Sequence, residues 1–234
     1  MIKEIILNGK CVRYELERKN VKNINIRVKR DLTVHVSANS RVTTNSIESI
    51  LKQKADFILS ALEKYGSYPP VTEKRYEGGE CFVIFGKNYP LILSHGSLNQ
   101  ALVASDKICM TVKDTADEEL KRKTLEKCLD ALCKERILLL CREIYADFKA
   151  YGIEFPTVKF RHMKSRWGSC QYKKGVLTFN LHLIHAPEEC IRFVIYHEFT
   201  HFLHPDHSSA FYKTLSRFLP NHKELKKELE RAKK

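Results

Sequence analysis

The stretch YHEFTHFLHPDHSSAFY, residues 196–212, holds four histidines and one glutamate within eleven residues. His197 and His201 are four residues apart, so on an α-helix they project from one face and can reach the same metal ion. Glu198 follows His197 directly, in the HExxH pattern of hydrolases whose glutamate acts as general base and is not itself a metal ligand. The stretch therefore predicts a helix that carries a Zn²⁺ site, with His197 and His201 as metal ligands and Glu198 as the catalytic residue.

A catalytic zinc site usually has a third protein ligand and an open position, and His204 and His207 are the two candidates. Seven residues of helix span about 10.5 Å, whereas two nitrogen ligands of one zinc ion lie about 3 to 3.5 Å apart. One unbroken helix therefore cannot supply His197, His201 and His204 together. Pro205 disfavours a helical conformation for the residue before it, so the helix should end near His204 and let the chain turn back. We predict His207 as the third metal ligand and His204 as a neighbour without a metal bond.

The resulting spacing, HExxHxxxxxH, is also that of the metzincin proteases. Their longer motif has a glycine where this chain has His204. No methionine follows the motif here, so the methionine turn of the metzincins is excluded.

The first 113 residues predict an antiparallel sheet with a packed helix. Residues 4–16 contain an Asn-Gly hairpin signal between two apolar runs, and residues 24–36 hold two more runs with strand alternation. Residues 45–65 change to a helical period and predict one helix, which Gly66 ends. Further strands are expected within residues 81–112.

The remaining residues, 114–234, begin with a helical pattern from Thr115 to Gly152, long enough that we expect a break near Cys133. Two strands, TVKFRHM and VLTFN, are predicted on either side of the loop KSRWGSCQYKKG, and Pro187 starts the helix of the histidine motif. The fold class expected from the whole pattern is α+β. Residues 1–113 are expected to form an N-terminal α+β domain, and residues 114–234 a compact catalytic domain of helices and antiparallel sheet.

The composition, 43% hydrophobic and 29% charged, is that of a globular protein. The opening segment carries charges within its apolar stretch, so we expect no export signal, no membrane span and a cytoplasmic location. The net charge of +13 is concentrated before residue 71 and after residue 156, which favours polyanions such as nucleotides or nucleic acid as partners. The eight cysteines form no CxxC pair, so they do not indicate a disulfide framework or a metal knuckle. The sequence does not indicate an oligomeric state.

Three segments, MKSRWGSC, VLTFNLHLIHAPEECIRFVIYHE and HEFTHFLHPDHSSAFY, closely resemble the bacterial YgjP-like metallopeptidase family, which is related to the WLM and SprT/Spartan zinc proteases. In that family a W-G-S-C turn, a strand, an LxxxP approach, HExxH, a third histidine and an aromatic residue follow one another. The residues in those places are Trp167, Gly168, Ser169, Cys170, Leu183, Pro187, His197, Glu198, His201, His207 and Phe211. The resemblance implies a zincin-like metallohydrolase domain, an antiparallel strand beside the active-site helix, a zinc cofactor and a peptide or protein substrate.

Three roles around the motif stay open. Arg166 and Tyr212 are candidates for substrate or oxyanion contacts, and Cys170 is either part of a structural turn or a further contact in the active site. The first alternative function is hydrolysis of a nucleotide phosphoanhydride, for which the attracting charges would be Lys159, Arg161, Lys164, Arg166, Lys173 and Lys174. The second alternative is a DNA-associated protease or binding module, which the resemblance to Spartan would allow and which no nucleic-acid motif supports beyond charge.

Overall fold

The computed structural model describes residues 2–29, 31–66 and 74–232. Within these residues the fold is α+β, with six α-helices and three sheets whose strand pairs are mostly antiparallel. The expected fold class is therefore confirmed. The chain divides into two compact units, Met1–Glu73 and Lys74–Lys234. No helix in the described ranges combines the length and the apolar character needed to cross a membrane.

The first unit is a four-stranded sheet, in the order β1-β2-β4-β3, covered by two helices. Its elements are β1 (Ile2–Leu7), β2 (Lys10–Arg18), β3 (Asn25–Val28), β4 (Val34–Ala38), α1 (Thr44–Gln53) and α2 (Ala55–Gly66). The predicted hairpin is confirmed, because Asn8 and Gly9 both have positive φ, 47° and 79°, as the tight turn requires. The single helix predicted over residues 45–65 is wrong. Lys54 separates two helices, and its N–H is shared between the carbonyl oxygens of Ile50 and Leu51.

The second unit begins with another four-stranded sheet, in the order β5-β6-β8-β7, which packs against a long helix. Its strands are β5 (Cys81–Ile84), β6 (Lys87–His95), β7 (Gln100–Ala104) and β8 (Lys107–Val112), and its helix is α3 (Glu118–Lys149). The helix begins after Asp117, whose side chain accepts a hydrogen bond from the N–H of Leu120, and not at Thr115 as predicted. It runs without the expected break near Cys133, which is fully buried in the core of this unit. Because β5 to β8 share a core with α3, the predicted domain boundary at residue 113 falls inside this unit.

A three-stranded sheet, in the order β10-β11-β9, leads to the histidine motif. Its strands are β9 (Thr157–Arg161), β10 (Gly168–Gln171) and β11 (Val176–Asn180). The segment predicted as the loop KSRWGSCQYKKG therefore contains a strand, β10, which pairs antiparallel with β11 and, among the residues that the structure describes, has no strand partner on its other side. Three helices follow, α4 (Glu188–Thr200), α5 (Ser209–Phe218) and α6 (His222–Ala232). Helix α4 contacts α3, α5, α6 and β10, so the motif-bearing helix lies at the centre of this unit.

Candidate active site

Helix α4 is held in place by its apolar face and by its first turn. Its buried residues include Ile191, Ile195 and Phe199, and they belong to the core of the second unit. Pro187 stands at the N-cap, one position earlier than predicted, and Glu188 in the first turn pairs with Arg136 of α3, whose Nε lies 2.8 Å from Oε2 of that glutamate. An acidic residue in the first turn also interacts favourably with the helix dipole. His197 in the last turn and His201 at the C-cap are thereby fixed at the end of a rigid element.

The end of α4 agrees with the effect expected of Pro205. The helix ends at Thr200, and a hydrogen-bonded turn continues to His204, whose N–H donates to the carbonyl oxygen of Thr200 at 2.9 Å. Beyond Pro205 the chain reverses before α5 begins at Ser209. The reversal returns His207 to the face of the helix that carries His197.

The side chains of His197, His201 and His207 converge. Their ligand nitrogens all lie within 4.8 Å of one another, and Nε2 of His197 is 3.0 Å from Nε2 of His207. Zinc–nitrogen bonds of about 2.0 to 2.1 Å in a tetrahedral site place two ligand nitrogens about 3.3 Å apart. The three imidazoles are therefore close enough together to hold one metal ion.

The protonation states of His197 and His201 suit a metal site. Burial lowers the pKa of His197 to about 3, and the neighbouring charges of His201, His207 and Lys226 act in the same direction. Burial also lowers the pKa of His201. Both rings are therefore neutral near pH 7, which is the form that donates a lone pair to a metal. Nδ1 of His201 donates to the carbonyl oxygen of His204 at 3.2 Å, so that Nε2 is the nitrogen left for a ligand bond.

The side chain of Glu198 extends from α4 and contacts Gly168, the first residue of β10. Its side chain is only 6% exposed, and a Cβ atom built on Gly168 would lie 2.7 Å from Oε1 of Glu198. No larger residue fits at position 168 unless Glu198 moves. Burial raises the pKa of Glu198 to about 8, and the positive charge of Arg166 opposes this shift.

A pocket of about 290 Å³ adjoins the motif. His197 and Glu198 form part of its wall, and Arg166 and Tyr212 line it as well. The ring of Tyr212 lies 6.2 Å from the ring of His207, centroid to centroid. The structure thus brings all six residues predicted for the site into one neighbourhood.

Other residues considered from the sequence lie outside this group. Burial and the charge of Glu198 raise the pKa of Cys170 to about 12, and this cysteine is not among the converging ligand atoms. Nε2 of His204 is 3.0 Å from Oγ1 of Thr214 in α5, so its ring anchors the loop that carries His207. Apart from Arg166, none of the basic residues proposed for nucleotide binding lines this pocket within the described ranges.

Sequence reasoning missed two residues that shape the site. Asn180, which is 3% exposed, accepts a hydrogen bond from the N–H of Met163 and donates to the carbonyl oxygens of Met163 and Arg166. It thereby fixes the segment that leads into β10. His222, at the start of α6, lines the pocket. Neither residue has a local signal, because each acts on segments that are distant in sequence.

One family model matches most of this chain, and two solved structures are similar to parts of it. The model of the YgjP-like metallopeptidase domain matches residues 22–232. Among solved structures, the metallopeptidase zymogen of Methanocaldococcus jannaschii jannalysin is similar, with 21% identity and a TM-score of 0.36 over 41% of this chain and 94% of that one. The metallopeptidase zymogen of Pyrococcus abyssi abylysin has 20% identity and a TM-score of 0.31 over 44% of this chain and 90% of that one. No curated protein matches the chain.

The family match covers most of the chain and includes all the segments on which the resemblance in sequence was based. A metallopeptidase uses a metal cofactor and acts on a peptide or protein. Because the family model matches residues 22–232, this chain belongs to the YgjP-like metallopeptidase family and is a peptidase-type hydrolase.

Proposed function

We propose that the protein is a zinc-dependent peptidase whose metal ion is held by His197, His201 and His207 and whose general base is Glu198. The observation that carries this proposal is the convergence of three imidazole nitrogens within 4.8 Å, beside a buried carboxylate. His197 lies in the last turn of α4 and His201 at its C-cap, and the third histidine returns from the loop after Pro205. Three protein ligands and an open fourth position are typical of a catalytic zinc site.

Zinc bound here would polarise the carbonyl group of a peptide and lower the pKa of a water molecule at the open position. The chain itself supplies the acid and base steps. As the water oxygen bonds to the carbonyl carbon, the carboxylate of Glu198 accepts one of the water protons. Glu198 then gives that proton to the amide nitrogen as the carbon–nitrogen bond breaks. The products are a new carboxyl terminus and a new amino terminus, with the glutamate returned to its starting form.

The surroundings of Glu198 support its role as a base that must give up the proton it has taken. Its burial raises the pKa of the carboxyl group and thus favours the protonated form, while the positive charge of Arg166 favours the carboxylate. Contact with Gly168 restricts where the carboxyl group can lie. We propose Arg166 and Tyr212 as substrate contacts, since both line the pocket next to His197 and Glu198.

Peptide hydrolysis is favoured over the two alternatives. The family assignment points to a peptide or protein substrate, whereas nucleotide hydrolysis and a DNA-associated role rest on the net charge of +13. Surface charge alone attracts many polyanions without specificity.

The proposal is tested with the full chain, prepared once as purified and once after chelation and reloading with zinc, cobalt or manganese. We expect one equivalent of zinc by mass spectrometry of the acid-digested protein, and cleavage of an unfolded protein such as reduced casein. Glu198→Gln should keep its zinc and lose activity by about a hundredfold or more. Glu189→Gln, an exposed change on the same helix, is the matched control and should behave as wild type. Stoichiometric zinc without any Glu198-dependent cleavage would contradict the peptidase assignment, and absence of bound zinc would contradict the metal assignment.

A further inference from the structure

The pocket beside the motif extends away from His197 and Glu198 between α4, α5 and α6. Its apolar wall consists of side chains that are each less than a tenth exposed: Phe193, Val194, Leu215 and Leu229. A volume of about 290 Å³ is at the lower end of the range of about 300 to 1,000 Å³ found for small-molecule pockets. The space suits a single large side chain, and its position beside Glu198 suits a residue next to the bond to be cleaved.

The lining of the pocket also includes polar side chains. His222 lines it and is 6% exposed, and its ring stacks on that of Tyr212 with 6.1 Å between centroids and 25° between planes. Nδ1 of His222 lies 3.1 Å from the carbonyl oxygen of Leu219. A carbonyl oxygen only accepts, so Nδ1 carries the proton, and in the neutral ring Nε2 is left as an acceptor. Among the residues that the structure describes, Nε2 of His222 has no hydrogen-bond partner.

The charges and the apolar walls together restrict the occupant further. Arg166 and Lys226 line the pocket together with Glu198 and Glu230, so its positive and negative charges balance. The apolar walls would strip the water from a lysine or arginine side chain, and burying a charge in this way is costly. The carboxylate of an acidic side chain only accepts hydrogen bonds, so it cannot bond to Nε2 of His222, which is itself an acceptor. An acidic side chain also has too little apolar surface to cover the walls. The remaining class is a neutral side chain with an apolar body and a hydrogen-bond donor at its tip.

We propose that this pocket selects a tyrosine side chain of the substrate, next to the scissile bond, and that His222 accepts the hydrogen bond of its phenol. The ring of the tyrosine would lie along Phe193, Val194, Leu215 and Leu229. A phenylalanine would fill the same space but leave Nε2 of His222 buried without a partner, which disfavours it. This inference rests on the proposed peptidase function and adds to it the class of residue that is recognised.

The test uses the full chain loaded with zinc and a mixture of unstructured peptides in which every residue type occurs at every position. Cleavage sites read by mass spectrometry should be enriched in tyrosine at one of the two positions that flank the cut. A matched pair of peptides, identical except for tyrosine or phenylalanine at that position, then gives a ratio of kcat/KM. We expect a ratio of about three to ten for the wild type, the range of one neutral hydrogen bond.

His222→Phe keeps an aromatic ring against Tyr212 and removes both nitrogens, so the ratio should fall to about one. The ratio compares two substrates on one enzyme sample, so a partly unfolded variant does not distort it. Leu229→Phe, which narrows the pocket from α6, should reduce cleavage at tyrosine more than cleavage at alanine. His95→Phe, an exposed change distant in sequence from the motif, is the matched control and should keep the wild-type ratio.

The outcomes separate this inference from the function on which it rests. If no peptide is cleaved in a Glu198-dependent way, the peptidase proposal fails and the inference with it. If cleavage depends on Glu198 but acidic, basic or small residues are preferred at both flanking positions, only the tyrosine inference is overturned. A tyrosine preference that His222→Phe leaves unchanged would also overturn the role of His222.

Discussion

Gly168 and Glu198 are in such close contact that the absence of a side chain at one position determines where the side chain of the other can lie. A Cβ on Gly168 would come within 2.8 Å of Cγ and 3.0 Å of Cδ of Glu198, as well as 2.7 Å of Oε1. Cδ and Oε1 belong to the buried carboxyl group and Cγ is the carbon that carries it, and the helix cannot move away because it is packed on α3. Gly168, the first residue of β10, thus forms one wall of the space that holds the carboxyl group of Glu198.

We therefore expect Gly168→Ala to displace the carboxyl group of Glu198 without touching the three histidines. Misplacement of a catalytic group by about 1 Å can cost about a hundredfold in rate, so kcat should fall by about ten- to a hundredfold. The zinc content should stay at the wild-type value. Gly78→Ala is the matched control, because a Cβ at that position meets no atom within 4 Å. A Gly168→Ala enzyme with unchanged kcat would show that Glu198 is not the catalytic base or that its position is not critical.

Changing His204 to alanine and changing His207 to alanine should have very different effects on the affinity for zinc. His207→Ala removes a proposed ligand and should lower the affinity for zinc by more than about a hundredfold, measured by competition with a chromophoric chelator. His204→Ala removes only the ring contact with Thr214, because the carbonyl oxygen that accepts from His201 belongs to the backbone. Its zinc affinity should stay within about tenfold of the wild type. Equal losses in the two variants would contradict the assignment of His207 as the third ligand.

The parts of the site that could be predicted from sequence are those governed by neighbouring residues. The shared face of His197 and His201 follows from helical spacing, and the return of His207 follows from the effect of Pro205 on the residue before it. The contact between Gly168 and Glu198 joins segments thirty residues apart and has no local signature. The same is true of the position of His222, which depends on how α6 packs on α4. The site could thus be recognised from sequence, whereas the walls around it could not.

The fold shows the same division between local and distant effects. The Asn8-Gly9 hairpin and the strands of both large sheets follow from turn residues and alternation. Strand β10 was missed because Gly-Ser-Cys-Gln has little intrinsic strand preference, and its pairing with β11 makes it a strand. Helix α3 continues through Cys133 because burial in the core overrides the length expected of a typical helix.

Asn180 should make a large contribution to the stability of the second unit. Its buried amide bonds to the backbone of Met163 and Arg166, and also accepts from the N–H of His182. Asn180→Ala leaves these backbone groups without their partner, and we expect a loss of about 1 to 3 kcal/mol in the free energy of unfolding. Urea denaturation followed by the fluorescence of Trp167 measures it, because the tryptophan lies in the segment that Asn180 holds. Asn99→Ala, an exposed asparagine with one hydrogen bond to the backbone, is the comparison and should cost less. An equal or smaller loss for Asn180→Ala would contradict this role.

Tyr14 should make the first unit sensitive to alkaline pH. It is 1% exposed, with its hydroxyl 3.2 Å from Oε1 of Glu48, and burial together with this hydrogen bond raises its pKa from 10.0 to about 12. At a pH between 10 and about 12, the unfolded chain loses the proton of Tyr14 while the folded chain keeps it. The stabilisation is therefore complete below about pH 10 and is lost as the pH rises toward 12. Tyr14→Phe has no such proton, so the stability advantage of the wild type over this variant should shrink as the pH rises from about 9 to about 11.5.

Both proteins are unfolded with urea at each pH. Hydrogen exchange of the backbone amides in β2 and β4 reports the unfolding, so that the first unit is observed separately. Tyr151→Phe is the control, because this tyrosine is 51% exposed and lies in the second unit. A stability difference between the wild type and Tyr14→Phe that does not change with pH would mean that the folded and unfolded chains bind this proton equally. In that case burial would not be holding the phenol of Tyr14 in its protonated form.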